Sequence, residues 1–217
     1  MKLKALFLNC TLKYAPETSN TEAFIKKSIL IFKELGVETE IVRTSDYSIK
    51  FGTTSDAGTG DDWSIILKKI KEVDIFIMAT AVWRGDRSSI SKIVSERMDG
   101  LFSDEKNEKE QYATYNKVGG VLVDGNEDGA KKAIASILFD LSEHGFTIPV
   151  NAFSYYVGKA GPGPSYIEAK GETYEFTNNM LLIMAQNIVH IASLLKKSPY
   201  PIKLNKTKEK AKKISGK

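Results

Sequence analysis

An α/β fold built on a parallel sheet is the class this sequence predicts, on three observations. Strand-like apolar runs and stretches of helical periodicity alternate five times along the 217 residues, the pattern of repeated βαβ units. The run Ile75–Thr80 is almost continuously apolar, as a strand covered on both faces is. No repeat or composition shift divides residues 1–197, so one domain is expected, with right-handed crossovers that put helices on both faces of the sheet.

The elements follow in order. Lys4–Asn9 reads as the first strand. Ser19 is placed to cap a helix from Asn20 to Leu35, whose stripe is Phe24, Ile25, Ile29, Phe32 and Leu35, with Gly36 at the stop. Val37–Arg43 alternates apolar and polar residues and reads as a strand nearer an edge. Ser45–Asp62 is rich in Gly, Ser, Thr and Asp and reads as loop. Asp61-Asp62 is expected to open a helix carrying Trp63, Ile66, Leu67 and Ile70. After Ile75–Thr80, a helix over Ser89–Leu101 turns Ile90, Ile93, Val94 and Met98 inward. Ser103–Asn116 is charged and reads as an exposed excursion. Val118–Val123 is the fourth strand, and Gly129–His144 a helix closed by Gly145. Phe146–Phe153 is expected as the fifth strand, at an edge or bulge because of Pro149. A loop over Val157–Thr173 precedes a last helix, Phe176–Leu195.

Composition narrows the function classes. Hydrophobic residues are 42% and charged residues 27%, which is ordinary for a globular chain. No apolar run is read as reaching the roughly 20 residues of a membrane span, and the start leads directly into a strand, so a cytoplasmic protein without membrane partner is expected. One cysteine, Cys10, excludes an internal disulfide or an all-cysteine cluster. With two histidines, His144 and His190, neither a metal centre nor a Ser-His-Asp constellation is expected. His144 reads as a cation at a helix C-terminus, His190 as a core or interface residue and Cys10 as a buried structural thiol. Lys203–Lys217 carries seven lysines and one glutamate, so of the net +4 the tail holds +6 and the remainder −2. A near-neutral body argues against a nucleic-acid groove, and residues 198–217 read as a basic, flexible tail.

Three loops follow strand ends, where open α/β sheets bind ligands. In the first, Thr11, Lys13, Ser19, Asn20 and Thr21 offer hydroxyls, an amide, a cation and the donors of a helix N-terminus, an arrangement that suits phosphate; Ser19 may equally be only the cap. The chain lacks a Walker-type or dinucleotide glycine pattern here, so a monophosphate fits better than a pyrophosphate. The second loop, Ala81-Val82-Trp83-Arg84-Gly85, sets an aromatic surface beside backbone donors and an arginine; Trp83 as a core aromatic is the competing reading. In the third, Asp124-Gly125-Asn126-Glu127-Asp128-Gly129, a tight turn offers Asn126 to a ring edge, while Glu127 and Asp128 also suit a helix start; Asp124 is given no role. A phosphate end, an aromatic surface and an amide-rich edge together describe a seat for a flavin nucleotide.

These residues resemble the flavodoxin-like NADPH-dependent FMN reductase family over nearly all of residues 1–196. The carriers are Asn9-Cys10-Thr11-Leu12-Lys13 with Ser19-Asn20-Thr21, Ala79–Gly85, Gly125–Ala130, and Tyr156–Pro164. Asn9, Ala81 and Arg84 depart from the glycine, proline and apolar residue common there. The resemblance implies a three-layer sandwich with a five-stranded parallel sheet of order 2-1-3-4-5. FMN would lie at the switch point, its phosphate on Thr11, Lys13, Ser19, Asn20 and Thr21. The ring would lie on Ala81, Val82, Trp83, Arg84 and Gly85, with Gly125, Asn126, Glu127, Asp128 and Gly129 opposite. It further implies NAD(P)H as co-substrate, a small-molecule electron acceptor such as a quinone or free flavin, and a homodimer or homotetramer. Whether Tyr155, Tyr156 and the Gly161–Pro164 loop cover a neighbouring chain's flavin is left open by a single chain's sequence. No acid–base residue is nominated, because the flavin carries the chemistry. A flavodoxin-type electron carrier with no substrate of its own, and a fold that has lost its cofactor, are the alternatives.

Overall fold

The computed structural model describes residues 2–159, 161 and 163–216. Its strands are β1 (Lys4–Asn9), β2 (Glu38–Arg43), β3 (Ile75–Trp83), β4 (Asp86–Arg87), β5 (Val118–Asp124) and β6 (Phe153–Tyr156). Its helices are α1 (Asn20–Glu34), α2 (Trp63–Glu72), α3 (Ser89–Met98), α4 (Ala130–Glu143), α5 (Glu175–Lys197) and α6 (Leu204–Ile214). Five strands form a parallel sheet in the order β2-β1-β3-β5-β6. This is the expected order once the short β4, which pairs antiparallel with the end of β3, is set apart.

Period-two alternation sorts each central strand between two cores. Leu6, Leu8, Phe76, Met78, Val121 and Val123 face α2, α3 and α4. Ala5, Phe7, Ile75, Ile77, Ala79 and Leu122 face α1 and α5. The second core needs Gly120 bare: a Cβ there would come within 2.6 Å of Ile188 on α5. Helix α5 has 23 residues and a mean hydropathy of 1.2, long and apolar enough by length and composition to cross a membrane. The sequence reading passed over this stretch. One stripe of α5, Leu181, Met184, Ala185, Ile188 and Ala192, is buried against the sheet and α1.

Four expectations change. The fifth strand is Phe153–Tyr156, not Phe146–Phe153. Pro149 has no N–H for a ladder, so after an isolated bridge at Thr147 the chain leaves the sheet and rejoins it at Phe153. Asp61 meets the start of α2 only through the Trp63 N–H, at 3.4 Å; the rest of its carboxylate is taken by Arg97. Within Ser103–Asn116, Gln111 and Thr114 are buried, and Gln111 donates to the carbonyls of Tyr200 and Ile202. The basic tail is helical over Leu204–Ile214, exposed along that length, with the Leu204 N–H on the Lys109 carbonyl at 2.9 Å.

Candidate functional site

The carboxyl ends of β1, β3 and β5 open into a cleft of about 260 Å³. Of the sequence candidates, Thr11, Lys13, Asn20, Thr21, Ala81, Val82, Trp83, Gly125, Asn126 and Glu127 line it together. Leu12, Asp124 and Ser165 join them unanticipated. A second cleft of about 500 Å³ shares Trp83, Asn126 and Glu127 with the first and adds Arg84, Asp128 and Gly161.

The first loop is held from beneath. The Asn9 side-chain oxygen accepts the Thr11 N–H at 3.2 Å, and Ser45 donates to the Lys13 carbonyl at 2.6 Å. Ser88, which caps α3, donates to the Cys10 carbonyl at 2.7 Å and so ties the loop to the end of β3. Lys13 swings its ammonium to the Thr18 carbonyl at 3.0 Å, which parks a cation beside the start of α1. Ser19 is the cap and not a wall of the cleft: it is buried, and its hydroxyl accepts the Glu22 N–H at 3.1 Å. The remaining donors of that first helical turn face the ligand end without an intrahelical partner. Asn20 accepts the Ile167 N–H at 3.0 Å and fixes the late loop against this end.

The second loop is a hairpin. Arg84 and Gly85 both have positive φ, 51° and 74°, the geometry of a two-residue turn whose twist suits the flanking strands. The turn lifts Trp83 to 51% exposure, so it is a surface over the cleft and not a core aromatic. The Arg84 N–H, expected to face a ring edge, donates instead to Glu127 Oε1 at 3.0 Å. Gly85 and Gly129 do not line the first cleft; a Cβ on Gly129 would meet the Gly85 backbone at 2.4 Å, so bare backbone at both sites lets the second and third loops touch. In the third loop, the Gly125 N–H bonds the Tyr156 carbonyl at 2.9 Å, and Asn126 donates to the Gly163 carbonyl at 2.8 Å. Pro162, within the Gly161–Pro164 segment, lies outside the described residues.

The residue that sequence reasoning missed most consequentially is Asp124. It ends β5 in an otherwise apolar run and is 3% exposed, yet it lines the cleft, and its Oδ1 has no hydrogen-bond partner. Burial pushes its carboxyl up to about 7, against the pull of the Thr21 hydroxyl and of Lys13. The one sequence signal was a carboxylate at a strand end where its neighbours are all valine, leucine or glycine.

The residues set aside resolve as follows. Cys10 is buried and its thiol is pushed up to about 12, chiefly by burial, which makes it inert. His144 is not a helix-end cation: burial pushes it down, and its Nδ1 sits 2.6 Å from the Asp140 carbonyl. His190 is exposed, so it is no core residue. Tyr156 and Tyr166 are buried in their own chain with rings 5.2 Å apart, which removes them from a role over a neighbour's ligand, while Tyr155 is half-buried beside Phe176.

Comparison with known proteins places this cleft in a group. The family of NADPH-dependent FMN reductases matches residues 3–161. The 8-demethyl-8-aminoriboflavin-5'-phosphate synthase of Streptomyces davaonensis is 36% identical over 209 residues, 92% of this chain and 81% of that protein. A crystal structure of RosB with bound 8-demethyl-8-formylriboflavin-5'-phosphate superposes with a TM-score of 0.90 at 36% identity, over 97% of this chain and 87% of that one. A protein named divalent metal cation transporter MntH, from Mycobacterium bovis, is 38% identical over 200 residues; these are 89% of this chain but only 29% of that much longer protein.

Proposed function

From the premise that the chain belongs to the NADPH-dependent FMN reductase family, we propose that it binds FMN in the first cleft and passes electrons from NADH or NADPH through it to a small acceptor such as a quinone or free flavin. The observation that supports this most is the gathering of Thr11, Lys13, Asn20, Thr21, Trp83 and Asn126 around one cleft. The fit is chemical. A phosphate needs donors and a cation, which the start of α1, Thr11 and Lys13 supply. A planar ring needs an aromatic face, which Trp83 offers, and polar groups at its rim, which Asn126 and Glu127 offer.

When bound, FMN accepts a hydride from the nicotinamide and hands electrons on. This chain's residues bind and orient. Lys13 and the α1 donors hold the phosphate end, and Trp83 carries the ring. The second cleft, open beyond Trp83 and edged by Arg84 and Asp128, suits the nicotinamide or the acceptor. Arg84 is a cation at the rim where reduction adds negative charge.

A second reading has a specific support. The synthase and the RosB structure, each 36% identical to this chain, are described by a riboflavin-5'-phosphate made or held, which supports a reading in which the flavin is the substrate and not the resident cofactor. One experiment separates the readings. FMN is added to the purified protein, and the visible spectrum is followed without air before and after NADPH and NADH. Bleaching by a nicotinamide, with flavin later recovered at unchanged mass, supports the reductase. FMN that is bound but not bleached overturns it, and a changed flavin mass on recovery selects the second reading.

A further inference from the structure

We propose that Asp124 recognises the hydroxylated side chain of the flavin and so decides which flavins the cleft accepts; this rests on reading the first cleft as a flavin seat. Asp124 lines the cleft from the carboxyl end of β5. Its register neighbours are Ala81 on β3 and Tyr156 on β6. Thr11, Lys13 and Thr21, which suit a phosphate, and Trp83 and Asn126, which suit a ring, line the same cleft. A flavin nucleotide laid with phosphate on the first group and ring on the second brings its polyol linker across the centre.

The chemistry of Asp124 fits that linker and not its neighbours. A buried acceptor without a partner carries a desolvation cost that a valine at the same position would not. The Oδ1 of Asp124 is buried without a hydrogen-bond partner among the described residues, in a side chain that lines the cleft. A phosphate would set like charge against it. A hydroxyl donates to a carboxylate and accepts from a carboxylic acid, so it satisfies Asp124 in either protonation state. Acidic side chains recognise ribose hydroxyls in the same manner in dinucleotide-binding folds.

The test uses the full chain and three flavins: FMN, riboflavin, which keeps the polyol but lacks phosphate, and lumiflavin, which lacks both. Dissociation constants are read from flavin fluorescence for the wild type, Asp124→Ala and the isosteric Asp124→Asn. The expected result is that Asp124→Ala weakens FMN and riboflavin by the same factor, roughly 10- to 100-fold, and leaves lumiflavin unchanged. Asp124→Asn, which keeps a hydrogen-bonding group in place, loses less. A loss confined to FMN would assign Asp124 to the phosphate, and an equal loss for all three flavins would make it structural; either overturns the proposal. Should Asp124→Ala fail to fold, Asp124→Asn binding every flavin like the wild type overturns it alone. A wild type that binds no flavin removes the seat itself, and that outcome is distinct from intact binding with indifferent variants.

Discussion

Asp61 and Asp124 both keep a carboxyl group from water, Asp61 with Arg97 forked across it and Asp124 with an oxygen that has no hydrogen-bond partner among the described residues. Around Asp61 the accounting closes. Arg97 reaches its two oxygens at 3.0 and 2.7 Å, and the N–H groups of Lys50 and Ala57 add 3.1 and 3.0 Å bonds. Two further guanidinium donors go to the carbonyls of Thr54 and Lys50. Burial raises the Asp61 carboxyl, but this shell outweighs it and holds the group well below the usual carboxylate range. Around Asp124 burial wins, and the carboxyl rises to about 7. The difference teaches what each cluster is for. A satisfied buried pair pins a loop, here Ser48–Asp62 against α3. An unsatisfied group at the edge of a cleft is finished by something that binds there.

The comparison breaks first at Arg97. Changing it to Met leaves Asp61 buried and unpaired, which costs about 3–5 kcal/mol and lowers the thermal midpoint by roughly 6–20 °C, while flavin affinity measured well below the midpoint is kept. A melting curve beside a flavin titration checks both halves.

The second break is at Asp124. Its folded value of about 7 stands above the ordinary value of 3.8. Between these values the folded chain holds a proton that the unfolded chain releases, so this group's contribution to stability falls as pH rises through that window and is level above it. The ligand-free protein with Asp124→Asn should therefore gain on the wild type by up to about 1.4 kcal/mol per pH unit across the window. Denaturation at pH 5 and pH 8 reads the difference between the two proteins. A constant difference would mean Asp124 does not titrate there.

The smallest effect sharpens the contrast at the cleft. Ser19→Ala removes a cap bond and costs about 1 kcal/mol, with flavin affinity essentially kept, because Ser19 faces α1 and not the ligand. A drop in affinity as large as that from Asp124→Ala would return Ser19 to the binding set.

The sequence by itself determined the layers. The apolar runs at Lys4–Asn9, Ile75–Thr80 and Val118–Val123, and the stripes of the helices between them, settle a parallel sheet with helices on both faces, while its strand order followed only from the family resemblance. Ten of the fifteen site candidates line one cleft because loops at one edge of a parallel sheet must converge, which is a rule of topology and needs no coordinates. Local signals failed where distant groups compete. Asp61 beside Trp63 reads as a helix start, which it is, but its pairing with an arginine 36 residues later is visible only in the fold. Ser19 suits a phosphate or a cap, and only its distance to Glu22 separates the two. Phe146–Phe153 has a strand's composition, but a proline without an N–H meets its neighbour only once the sheet is assembled. Asp124 is the plainest case. In the sequence it is one acid at the end of an apolar run. Whether such a group is solvated, paired or left open to a ligand depends on which side chains the fold brings within about 3 Å of it, and that distance is set by tertiary packing alone.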